Sequence, residues 1–143
     1  MDELTNYAEV VGTYNLHETE IKSNSVTTIL TTNLEITKSA NKIIWAIGNL
    51  KYTITVSNPN GGSVREIIIT DVLNPDLIRL VQDSITINGI PAGYGNFTYD
   101  DATGLLTFFL NVINPNQDIE IEFSVTKHQR EAFKLENYAS LTF

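Results

Sequence analysis

LKYTITVSNPNGGSVREIIITDV, residues 50–72, decides the fold. Leu50, Tyr52, Ile54 and Val56 alternate with Lys51, Thr53, Thr55 and Ser57. A period of two describes a strand with one apolar and one polar face. The turn NPNGG at 58–62 follows, and a β-branched run over 64–71 comes after it. Working outward, Ile119, Ile121, Phe123 and Val125 alternate with Asp118, Glu120, Glu122 and Ser124 in the same way. Further turns are signalled by NG at 88–89, DDATG at 100–104 and NPN at 114–116. LNPDLIRL, 73–80, predicts one helical turn with Pro75 at its first position. No longer stretch has a 3.6-residue period. The pattern predicts strands near 5–12, 23–31, 33–38, 49–57, 64–71, 83–88, 94–99, 104–110, 116–127 and 135–143. Many short strands with turns at this spacing indicate an all-β antiparallel sandwich.

Composition narrows the class. The chain has 143 residues, enough for one domain with a real core. A net charge of −8 repels nucleic acid and anionic membrane surfaces. There is no cysteine, so disulfides and thiolate metal sites are excluded. No apolar run is long enough to span a bilayer, and MDELTNYAEV has neither the basic nor the apolar region of a secretory signal.

The run LEITKSANK followed by LKYTITVSNPNGGSVREIIITDVLNPDL resembles the bacterial surface repeat known as domain of unknown function 11. Its rhythm is matched by Thr37-Lys38, Tyr52 to Asn58, Ile67 to Leu73, Ser84 to Gly89, Ala102 to Leu105, Ile119 to Val125 and Asn137 to Leu141. The resemblance covers 33–143. It implies an immunoglobulin-like sandwich of the kind found in arrays on cell or spore surfaces.

One departure concerns the tips of the chain. TNYAEVVG, 5–12, and ENYASLTF, 136–143, are nearly the same strand. In the family that strand is followed by one resembling SN-VTT, and here SNSVTTIL stands at 23–30. Residues 1–32 therefore read as an extension of candidate donor strands, and 33–143 as a sandwich short of its last strand. An unpaired edge with an open apolar groove invites a strand from elsewhere. The expected interface comprises Tyr7, Ala8, Val10, Val26, Thr28, Leu30, Tyr138, Leu141 and Phe143. Donation to a neighbour gives a head-to-tail homopolymer, and donation to self gives a circularly permuted monomer. The short link Thr31-Thr32-Asn33 favours the neighbour. A piece cut from a longer array would show the same duplication.

Face counting isolates a second constellation. Lys38 is in phase with Leu34 and Ile36, Asp71 with Ile67 and Ile69, and Asn137 with Leu135, Ala139 and Leu141. A buried lysine loses its proton readily and becomes a nucleophile. A buried aspartic acid can polarise a carboxamide and shuttle the proton. The set is similar to that of isopeptide-forming domains of surface adhesins and pili, which implies a Lys38–Asn137 crosslink promoted by Asp71. Asn6, in phase with Leu4, Ala8 and Val10, is a rival acceptor. The alternative for each is plain: a snorkelling lysine, a turn-capping aspartate, an asparagine bonded to a loop.

Other chemistry is sparse. His17 and His128 stand alone, and Asp100, Asp101 and Thr103 read as a turn rather than a calcium site. Trp45, in KIIWAIGNL, reads as core or interface. There is no phosphate loop, nucleophile elbow or zinc motif. The expectation is a non-enzymatic chain, at most self-crosslinking, with no cofactor and no metal, partnered by itself. It is expected to be an extracellular structural subunit assembled by strand donation; the alternative is a monomeric adhesion or spacer module of a larger surface protein.

Overall fold

The computed structural model describes residues 33–128 and 131–143 and, ahead of them, four strands. The chain divides into two compact units, 1–32 and 33–143. In the first, β1 (Asp2–Asn6) pairs antiparallel with β4 (Val26–Leu30), and β2 (Glu9–Tyr14) with β3 (His17–Lys22). The strand predicted over 5–12 thus falls partly in β1 and partly in β2. Tyr7 and Ala8 lie outside the described residues. Asn6, Val10, Val26, Thr28 and Leu30 are described only by the strands and pairings that contain them.

The second unit is an all-β antiparallel sandwich. Its strands are β5 (Glu35–Ala40), β6 (Leu50–Ser57), β7 (Val64–Val72), β8 (Ile78–Ile87), β9 (Ile90–Pro91), β10 (Phe97–Asp100), β11 (Leu105–Ile113), β12 (Asp118–Lys127) and β13 (Ala139–Thr142). One sheet runs β5-β6-β12-β8-β9 and the other β10-β11-β7-β13. The alternation read from 50–57 appears as burial: Leu50, Tyr52, Ile54 and Val56 are buried while their neighbours are not. Facing them across the sandwich are Ile67 and Ile69 of β7 and Leu106, Phe108 and Leu110 of β11. Phe108 and Phe123 touch at the centre, ring centroids 6.0 Å apart.

The turns follow their chemistry. Asn88 and Gly89 both have positive φ (51° and 78°), the backbone of a two-residue hairpin turn. Gly104, at φ +77°, sits so close to the chain that an added Cβ would lie 1.7 Å from the Leu73 carbonyl oxygen. Asp100 Oδ1 accepts from the Ala102 and Thr103 amides at 3.0 and 3.4 Å, so this acidic side chain is used within its turn. Asn58 is buried in the NPNGG turn; its Nδ2 donates to the Gly62 and Ile113 carbonyls, both at 2.9 Å.

β3 and β9 have no counterpart in the sequence reading, and two further elements differ from theirs. Asn74 O accepts from both the Leu77 and Ile78 amides, so a turn does form after Leu73, but the strand behind it begins at Ile78 and not at 83. At the end of the chain only Ala139–Thr142 is a paired strand, not 135–143. Residues 133–141 nevertheless alternate, with Phe133, Leu135, Asn137, Ala139 and Leu141 half-buried and the residues between them exposed. The alternation is that of a strand, but the first half of the segment has no ladder among the described residues.

Candidate functional site

Three strands meet at the seam where β5 of one sheet faces β7 and β13 of the other. The pleat of each places one polar side chain among apolar ones. β5 turns Ile36 and Lys38 inward in phase with Leu34 just before it, β7 turns Ile67, Ile69 and Asp71 inward, and the run into β13 turns Asn137 inward. Ala139 is the partner of Asp71 in the β13–β7 register, so Asn137 stands two residues from the aspartate's own rung.

Lys38 Nζ donates to Asp71 Oδ2 as an ion pair. The side chains are 10% and 0% exposed, so the pair is out of water. Beneath the ammonium lie two aromatic rings, Tyr52 at 4.3 Å and Phe123 at 5.7 Å from ring centroid to Nζ. Such a floor supports a cation without offering it a hydrogen bond. Asp71 Oδ1 and Asn137 Nδ2 are both buried, and neither has a hydrogen-bond partner among the described residues. Buried polar atoms without partners are rare, and two at one seam mark it as chemically unusual.

The electrostatics push the pair toward its neutral form. Burial lowers the Lys38 pKa, and the Asp71 carboxylate only partly offsets it. Burial raises the Asp71 pKa, against the opposing pull of Lys38 and the Asn137 amide. Burial also raises the Tyr52 phenol, with the Asp71 charge adding to it. Desolvation wins in each case because both ions of the pair have left water.

The structure therefore brings together Lys38, Asp71 and Asn137. The rival Asn6 belongs to β1 of the first unit, opposite Val26. Sequence reasoning passed over Tyr52 and Phe123 as ordinary core. The available signal was that Tyr52 is the one polar-tipped residue in the inward phase of its strand.

Beside the triad a groove of about 860 Å³ opens, lined by β5 and the loop after it on one side and by residues 131–137 on the other. That loop is held by two lysines, one its own and one at the end of β12. Lys42 Nζ donates to the Ile47 and Asn49 carbonyls at 2.8 and 2.9 Å, and Lys127 Nζ to the Ala46 carbonyl at 2.8 Å. Trp45 packs against the core with Lys127 over its ring, while Ile43, Ile44 and Ile47 stand exposed. Of the expected interface residues on β13 and beside it, Leu141 packs on the core, while Tyr138 and Phe143 are exposed.

Neither a protein-family model nor a curated protein sequence matches the chain. Solved structures do. The collagen-binding domain of the Erysipelothrix rhusiopathiae surface protein RspB aligns at 17% identity over 96% of this chain and 48% of its own length, with a TM-score of 0.50. An inactive mutant of the GH20 exo-β-N-acetylglucosaminidase of Vibrio harveyi aligns at 12% identity over 76% of this chain and 17% of its own, with a TM-score of 0.47. This chain thus spans less than half of either protein. The first likeness is one of fold; the second is too low to carry weight. No helix among the described residues is long and apolar enough to cross a membrane.

Proposed function

We propose that the chain is a structural subunit of a bacterial surface or spore appendage, in which the 33–143 sandwich is locked by a Lys38–Asn137 isopeptide bond and neighbouring subunits are joined by strand donation. The buried Lys38–Asp71 pair beside an Asn137 Nδ2 that has no partner among the described residues carries the reading. Proton transfer from Lys38 to Asp71 within the pair gives a free amine and a carboxylic acid. The Nζ lone pair attacks Asn137 Cγ while the acid hydrogen-bonds the amide; the acid passes its proton to the leaving nitrogen, and the carboxylate so formed takes up the proton that Nζ sheds as the new amide forms. The Nζ–Cγ bond forms, the Cγ–Nδ2 bond breaks, and one ammonia departs. The reaction happens once per chain and needs no cofactor. Its product ties the first strand of the sandwich to the last, where a pulling force would act. An extracellular setting agrees with the adhesin-type fold and with a covalent staple that needs no cysteine.

A second reading is a monomeric adhesion or spacer module of a larger surface protein. The pairing of β1 with β4 and β2 with β3 favours it, because those strands already have partners. Intact mass and electron microscopy test both levels. The folded protein is expected to weigh one ammonia less than its chain, and a full chain mass refutes the crosslink. Filaments that vanish when residues 1–32 are deleted are expected; a monodisperse monomer refutes assembly and leaves the second reading.

A further inference from the structure

We infer that the outer edge of residues 133–143 accepts residues 19–30 of a second copy of this chain, in the antiparallel register that β3 and β4 hold against β2 and β1. The inference rests on the assembly reading above and specifies its interface.

The first observation is the repeated sequence. Leu4, Asn6, Tyr7 and Ala8 recur in the same order and spacing as Leu135, Asn137, Tyr138 and Ala139. The earlier occurrence has a partner, with Leu4 opposite Thr28, Asn6 opposite Val26 and Val10 opposite Ile21. The later one pairs with β7 on one side only, and only over Ala139–Thr142. Among the described residues β13 is the edge of its sheet. Where the sequence has its neighbour, residues 2–6 are a strand; where it lacks one, residues 133–138 alternate but are unladdered.

Carried across, the register places Leu135 opposite Thr28, Asn137 opposite Val26, Ser140 opposite Lys22 and Leu141 opposite Ile21. Residues opposite one another in an antiparallel pair share a face. Phe133, Leu135, Asn137 and Leu141 are the half-buried set. Leu30, Thr28, Val26 and Ile21 would therefore join the apolar side, and Glu20 and Lys22 the solvent side. The groove lined by Ile43, Ile44, Trp45, Phe133 and Leu135 offers volume for those apolar side chains. Val26 would then cover Asn137 and keep water from the triad.

Direction identifies the donor as a second copy. β5 and residues 131–142 run in opposite senses: Lys38 meets Asp71, the partner of Ala139, while Trp45, further along, lies under Lys127, just before residue 131. A strand antiparallel to 133–143 therefore runs parallel to β5. In the carried register the donor's Leu30 end lies opposite Phe133, whereas β5 starts toward the Thr142 end of the same edge, about nine residues or roughly 30 Å away. Between β4, ending at Leu30, and β5, beginning at Glu35, only residues 31–34 intervene. That link is too short for a chain to serve its own edge.

The chain has no cysteine, so engineered disulfides read the register directly. Lys22→Cys with Ser140→Cys, and Thr27→Cys with Glu136→Cys, place one thiol on the donor and one on an exposed acceptor position. Under mild oxidation each pair is expected to give a ladder of disulfide-linked multimers. The mismatched pair Lys22→Cys with Glu136→Cys is expected to lose the ladder. Electron microscopy of the same samples separates the outcomes. Filaments without a ladder from either matched pair overturn this register and leave assembly standing. A disulfide closed within one monomer overturns the second copy as donor. Absence of any assembly overturns both.

Discussion

Replacing Asn137 by alanine removes the acceptor carbon of the proposed crosslink and leaves the Lys38–Asp71 pair in place. Asn137 Nδ2 has no hydrogen-bond partner among the described residues, so beyond the crosslink the substitution removes the amide's influence on Asp71 and Tyr52. The main effect is then the loss of a covalent loop of about 100 residues between strands at the two ends of the sandwich. The chain-entropy description of a crosslink gives about 4.7 kcal/mol for a loop of that size. A unit of roughly 110 residues has an unfolding entropy of about 0.23 kcal/mol/K, so the midpoint should fall by about 20 °C. Thermal denaturation followed by circular dichroism measures it, with intact mass on the same preparations. Wild type is expected one ammonia light, and Asn137→Ala at its full mass. Equal melting points within about 5 °C, with both proteins at full mass, would refute the reasoning.

Three further outcomes follow from the same geometry. Asp71→Asn should abolish ammonia loss, and compared within the uncrosslinked Asn137→Ala background it leaves Lys38 buried without an anion and should cost about 3–5 kcal/mol in urea titration; a crosslink formed at the wild-type rate contradicts the proton-shuttle role. In the uncrosslinked Asn137→Ala background, Asp71 titrates above its ordinary value of 3.8 because burial penalises its charge. The folded state then binds more protons than the unfolded state between the two values. The Asp71 contribution should grow as pH falls through the raised value and level off below 3.8, and an opposite slope relative to Asn137→Ala/Asp71→Asn would show that the Lys38 attraction dominates. Gly104→Ala must hold a Cβ at φ +77° against the Leu73 carbonyl, and should lose at least about 2 kcal/mol by chemical denaturation; a neutral result would show that the turn can open.

The seam was legible because strand phase is a strong code. Once Ile36, Ile69 and Ala139 point inward, Lys38, Asp71 and Asn137 must point inward too, since each lies two residues along. Phase could not show that the three meet, because pairing across a sandwich is set by which strand reaches which edge. Nor could it separate the two halves of 135–143. Its alternation is continuous, yet hydrogen-bonded structure needs a neighbour as well as a pattern, and β7 reaches only as far as Ala139. The same dependence explains β1 and β2, whose kindred sequence becomes strand with β4 and β3 alongside. Secondary structure at this end of the chain is thus a property of the pair. An edge that alternates correctly and still fails to ladder lacks a neighbour and not a propensity, and that is the ground on which the strand-donation proposal stands.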